Sequence, residues 1–131
     1  MHSAANQQSR DSQAATGLKV VFNILDKWGC SITQVQHILG ISRAALYRYR
    51  QNPQSASLSR DQLERLSYVL NIHASLRTLF DNPKNVYGFM SLPNDNPYFN
   101  GRTPLAVIGS GQFADLYETF KRIDALRGGL W

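Results

Sequence analysis

The sequence predicts an all-α protein. Three observations carry that expectation. Apolar residues recur at helical spacing in several separate segments. Those segments are bounded by helix caps and by Gly or Pro stops. No segment shows the strict alternation of a strand, and no internal repeat is visible. The chain has 131 residues, enough for one domain or two very small ones sharing a core. Hydrophobic residues make up 43% and charged residues 18%, which favours a packed core over general disorder.

The elements follow in order. Met1–Thr16 is rich in Gln, Ser, Asn and Ala, lacks large apolar groups, and is expected to be a disordered arm. From Gly17 the period is helical, with Leu18, Val21, Phe22, Leu25 and Trp28 on one stripe and Gly29 as the stop. A second helix runs from about Thr33 to Leu39, with Val35, Ile38 and Leu39 inward and Gly40 closing it. Ser42 caps a third helix, Arg43 to Gln51, which Asn52-Pro53 stops. After a polar linker, Ser59 and Gln62 form a capping-box pattern. They open a helix with Leu63, Leu66, Val69 and Leu70 on its apolar face, and His73–Phe80 adds a further turn or two. Asp81–Thr103, with three prolines and five asparagines, reads as a short helix near Lys84–Met90 followed by an irregular loop. Thr103 caps a short helix that starts at Pro104 and ends at Ile108. Gly109-Ser110-Gly111 breaks the chain before a last helix, Gln112 to Leu126. Its stripe is Phe113, Leu116, Phe120 and Ile123, flanked by Tyr117, with Glu118 and Arg122 paired on the solvent side.

Val35–Tyr49 has the form of a helix-turn-helix, two helices joined by a compact turn at Gly40 so that the second enters the major groove. Val35, Leu39, Ile41, Leu46 and Tyr49 supply the buried faces; Gln36 stands where such motifs usually carry a small residue. At about 3.6 residues per turn, Leu46 and Tyr49 share the inner side of the second helix. Tyr47, Ala44 and Arg48 then lie opposite, and Arg43 and Arg50 flank them. Ser42, Arg43, Ala44, Tyr47, Arg48 and Arg50 are therefore the candidate DNA-binding residues. Arginine reads guanine through two hydrogen bonds, serine and tyrosine hold phosphates, and a small alanine admits a base edge or a thymine methyl. Charge agrees: of the net +5, residues 1–58 carry +4 and the remainder +1.

Other classes find no support. The lone Cys30 excludes an internal disulfide, and His2, His37 and His73 are too scattered for a metal site. No cofactor loop, catalytic triad or paired-carboxylate set marks an enzyme, and no catalytic residue is assigned. No apolar run reaches the ~20 residues that span a bilayer. The polar start lacks a signal-peptide core, so the expected address is cytoplasmic.

The C-terminal half carries a more specific pattern. The run Asn96-Pro97-Tyr98-Phe99-Asn100-Gly101-Arg102-Thr103-Pro104-Leu105 resembles the Asn-Pro, Leu, Gly-Gly-Arg-Thr-Pro-Leu signature of the toxin-binding domain in Xre/MbcA/ParS-type antitoxins. The signature positions matched are Asn96, Pro97, Gly101, Arg102, Thr103, Pro104 and Leu105; Asn100 stands where the first of two glycines is usual, and Phe99 replaces an aliphatic residue. The order of the neighbouring helices matches as well. The resemblance covers residues 17–131: an Xre-like helix-turn-helix domain at 17–72 and a toxin-binding and dimerisation domain at 73–131.

What the resemblance implies is a type II antitoxin, a homodimer that represses its own operon through the helix-turn-helix. It would neutralise a RES-domain toxin, which consumes NAD, by covering the toxin's active-site cleft. The positions matching that role are Lys121, Arg122, Arg127, Gly128, Gly129, Leu130 and Trp131, with the last four forming a flexible, aromatic-tipped plug. From the residues alone, Arg102 is expected to donate hydrogen bonds to nearby carbonyls, with contact to the partner as the alternative. The competing reading is a helix-turn-helix repressor whose C-terminal half senses a small ligand. The lack of an evident polar pocket there argues against it.

Overall fold

The computed structural model describes the backbone of residues 4–128 and the side chains of residues 12–128. Within them are seven α-helices: α1 (Ala4–Lys27), α2 (Ile32–Leu39), α3 (Arg43–Gln51), α4 (Arg60–Leu79), α5 (Pro83–Gly88), α6 (Pro104–Ile108) and α7 (Phe113–Ala125). Short 3-10 turns lie at Pro53–Ser55, Phe89–Ser91 and Leu126–Gly128, and no strand occurs among the described residues.

Helix α1 corrects the expected disordered arm. It begins at Ala4, well before Gly17. Ala4, Ala5, Gln7, Gln8, Gln13 and Ala14 are strong helix formers. Extending an existing helix by such residues costs little once packing has nucleated it. Ala15 is already buried. Gly17 therefore sits inside the helix, where a Cβ would stand 3.2 Å from Leu66 Cδ2, so the residue lets α1 lie close on α4. Leu18, Val21, Phe22, Leu25 and Trp28 are all buried, and Ile24 joins them.

The caps determine where the next helices begin. Ser31 and Gln34 form a capping box on α2, and Gly40 ends that helix in the left-handed region at φ 67°. Ser42 Oγ accepts the Ala45 N–H at 3.0 Å and starts α3. Ser59 and Gln62 form a second capping box on α4.

Helix α4 runs unbroken from Arg60 to Leu79, across the expected boundary between residues 72 and 73. It buries Leu66, Val69, Ile72, Ser75 and Leu76. Leu63, expected on the apolar face, is instead 40% exposed. Helix α4 packs on α1, α2 and α7. One apolar cluster results: Trp28, Leu39 and Leu46 from the helix-turn-helix side join Leu76, Met90, Ile108, Leu116 and Ile123 from the other.

A polar seam reinforces that junction. Arg65 donates from Nη1 to the carbonyl oxygens of His37 (3.3 Å) and Gly111 (3.0 Å). It also donates from Nε to Asp61 at 2.9 Å. His37 Nδ1 donates to the Gly109 carbonyl at 3.0 Å. A Cβ at Gly111 would lie 3.3 Å from His37 Cβ, and its φ of 81° also requires glycine. The end of α2 is thus tied to the turn that introduces α7.

Candidate functional site

Helix α3 presents its predicted face. Ala45, Leu46 and Tyr49 are buried, while Ser42, Arg43, Ala44, Tyr47, Arg48 and Arg50 are exposed. Arg43 lies along the ring of Tyr47, its guanidinium 5.7 Å from the centroid and Nη2 donating to the hydroxyl at 3.4 Å. Arg48 stacks over Tyr49 at 5.3 Å. Among the described residues neither Arg43 nor Arg48 has a carboxylate at ion-pair distance, so both cations are available to an external anion.

Arg50 is placed differently. Its Nη2 pairs with Asp26 Oδ1 at 3.0 Å, and its guanidinium lies 5.2 Å from the Phe22 ring. The side chain turns back onto α1 and holds the end of α3 in place. Five of the six predicted positions therefore form the outward set, and Arg50 braces it.

The signature run folds into a hydrogen-bonded loop. Asn94 Oδ1 accepts the Asn96 N–H at 2.9 Å, and Asn96 Oδ1 accepts the Tyr98 N–H at 3.0 Å. The Gly101 N–H donates to the Asn94 carbonyl at 2.8 Å, and the Asn94 N–H to that of Arg102 at 3.1 Å. Asn100 has φ 51° and Gly101 φ 84°; Asn100 is the one non-glycine residue at positive φ among those described. Asparagine is among the few residues that tolerate this region, which explains how it replaces the usual glycine. Arg102 donates from Nε to the Phe99 carbonyl (2.8 Å) and from Nη2 to that of Tyr98 (2.6 Å). Thr103 Oγ1 caps α6 by accepting the Ala106 N–H, with Pro104 in its first turn and Leu105 buried. Pro97 is exposed at the loop's outer edge.

Tyr98 anchors this loop to α7. Its hydroxyl donates to Asp115 Oδ1 at 2.9 Å, and Ser110 donates to Asp115 Oδ2 at 2.7 Å. Partial burial first, and then the bonded Asp115 carboxylate, push the phenol up to about 12. The Arg102 and Arg122 guanidinium groups lie 5.8 and 5.5 Å from its ring centroid.

The predicted toxin-binding cations lie on and just after α7. Arg122 pairs with Glu118 at 3.5 Å, and Arg127 with Asp124 at 2.6 Å. Asp124 also accepts from the buried Ser75 at 3.1 Å. Lys121 is exposed, its ammonium 5.7 Å from the Tyr117 ring. Gly128 closes the last turn; Gly129, Leu130 and Trp131 lie outside the described residues. Among the described residues no His, Cys, Asp and Glu side chains group as metal ligands, and no helix is long and apolar enough to cross a membrane.

One further surface emerges between α4 and α7. Tyr68 sits at its centre, its ring 5.6 Å from each of Phe113, Tyr117 and Phe120. Sequence reasoning placed Phe113 and Phe120 on one stripe of α7 with Tyr117 flanking it, but had no means of pairing them with Tyr68.

A helix-turn-helix DNA-binding unit, joined through one continuous helix to a small helical protein-binding unit, is the class that this architecture defines. Residues 7–71 match the antitoxin Xre-like helix-turn-helix domain, and residues 75–129 match the antitoxin Xre/MbcA/ParS C-terminal toxin-binding domain. The chain belongs to the Xre-type antitoxins. It is also similar to the uncharacterized protein y4oB of Sinorhizobium fredii (strain NBRC 101917 / NGR234), with 29% identity over 126 residues, 95% of each chain.

Proposed function

We propose that this chain is a cytoplasmic antitoxin that neutralises a RES-domain, NAD-consuming toxin and, as a homodimer, represses its own operon. The observation that carries the reading is the pairing on one helical body of two different sites. One is an outward α3 face with the unpaired cations Arg43 and Arg48. The other is the toxin-binding domain match, whose last helix leads into the tail. In this reading Ser42, Arg43, Ala44, Tyr47 and Arg48 meet operator DNA. Lys121 and the Gly128–Trp131 tail enter the toxin's cleft, while Arg122 and Arg127 exchange their internal carboxylates for toxin groups.

Co-expression with the neighbouring gene's RES-domain product tests this directly. The full chain is expected to form a stable complex on size exclusion and to restore growth. A chain lacking Gly128–Trp131 is expected to lose protection while retaining operator binding. Full protection by the truncated chain would remove the plug, and the absence of any complex with the full chain would remove the toxin assignment.

A further inference from the structure

A hollow of about 360 Å³ opens where α5 meets the Phe89–Ser91 turn. Phe80 and Phe89 line it, their ring centroids 5.9 Å apart. Leu92 lines it too, and at 63% it is the most exposed large apolar side chain among the described residues. Gly88 is the informative residue. Its φ of −77° and ψ of −25° are ordinary helical angles, at which glycine is less favourable than alanine. A Cβ there would meet no neighbouring atom within 4 Å. Neither a turn nor a close approach therefore requires glycine. The missing side chain instead keeps the hollow open, because Gly88 lines it. A contiguous apolar surface of this kind is a candidate interaction site, whereas isolated exposed apolar residues are not.

Charge selects the occupant. Lys84 lines the same hollow, and Arg77 lines an adjoining one that shares Phe80 with it. Lys27 stands 4.8 Å from the ring of Tyr87, which lines that adjoining hollow. Among the described residues none of these three cations has a carboxylate at ion-pair distance. Burial first, and then the charges of Arg77 and Lys27, hold the nearby His73 below the usual imidazole range, as a positive field requires. Asp81 is the one carboxylate that lines either hollow. An apolar hollow beside uncompensated cations fits a protein segment that carries an apolar side chain among carboxylates. A nucleic-acid backbone would match the cations but not the aromatic wall. Arg77, Phe80, Lys84, Gly88, Phe89 and Leu92 all fall within the stretch that matches the toxin-binding domain.

We propose that this α5 face is a docking surface for the toxin, separate from the C-terminal tail. It takes an acidic segment of the toxin, with an apolar side chain seated over Gly88 and carboxylates facing Lys84 and Arg77. This rests on the reading above and deepens it, adding a contact that leaves the toxin's cleft to the tail.

The test is the affinity and association rate of the full chain with the neighbouring gene's RES-domain product. Gly88→Leu fills the hollow, and Leu92→Glu places a carboxylate beside it. Each is expected to weaken the complex by about thirtyfold, as for the loss of a central apolar anchor. Lys84→Glu is expected to slow association about tenfold at low salt, and by less as salt rises. Val20→Glu, at a 44% exposed site on α1, is expected to leave the affinity unchanged. Circular dichroism and melting identify any variant that fails to fold, and the other hollow variant then decides. Folded Gly88→Leu or Leu92→Glu chains that bind as tightly as the unmodified chain overturn the proposal and leave the reading above standing, whichever other ligand they lose. A Val20→Glu chain that loses as much affinity as they do overturns it equally. No complex with the unmodified chain overturns both.

Discussion

Replacing Arg65 with alanine strikes the seam between α2, α4 and the turn before α7. The side chain is 12% exposed and donates to two carbonyls that belong to different parts of the chain. Losing a hydrogen bond from a charged donor this little exposed costs about 1.5 kcal/mol per bond at the low end of the usual range. The Asp61 pair adds about 0.3 kcal/mol, because its carboxylate is half exposed and one turn away on the same helix. The sum is about 3 kcal/mol. For a domain of this size that corresponds to about 10 °C in melting temperature. Urea unfolding followed by circular dichroism reads the free energy, with an unchanged slope showing that the two-state reference is intact. Arg65→Lys, which retains the charge but loses the fork, is expected to recover about half the loss. A loss under about 0.5 kcal/mol for Arg65→Ala, the range of an ordinary surface change, would refute the reasoning.

Arg43→Ala and Arg48→Ala should each weaken operator binding by about 1–3 kcal/mol in gel shifts if the contact is bidentate. Arg50→Ala should instead cost about 0.5–1 kcal/mol of stability through the Asp26 pair, with little change in operator affinity. Tyr98 contributes stability while its phenol is protonated. That contribution is complete below pH 10 and is lost as pH rises from 10 through about 12. Urea midpoints should therefore fall over that window, less so in Tyr98→Phe. Asn100→Ala places a Cβ-bearing residue at φ 51° without asparagine's local bonding, so it should cost about 1 kcal/mol in thermal melts, whereas Asn100→Gly should not.

Local chemistry made much of this architecture legible. Ser42, Ser59 with Gln62, and Thr103 with Pro104 start helices through bonds spanning three residues, so their sequence patterns contain the whole interaction. The outward face of α3 was legible for the same reason: period alone separates Tyr47 and Arg48 from Leu46 and Tyr49. Arg50 was not, because it flanks the buried stripe, and its partner Asp26 is 24 residues away. Leu63 misled because it stands near the start of α4, where period alone expects core and the side chain is exposed. Ser75 and Thr119 are buried polar residues that no apolar pattern marks. The seam of Arg65, His37 and the Gly109–Gly111 turn depends wholly on contacts between distant segments.

The continuity of α4 has a consequence for the chain's lifetime in the cell. Gln62 and Arg65 support the helix-turn-helix near one end of it, and Ser75 holds Asp124 of the last helix near the other. Under the proposed function, a single cleavage within α4 would therefore remove the support of both sites at once. Trimming of the tail alone would differ, because under the proposed function it removes protection and leaves operator binding in place.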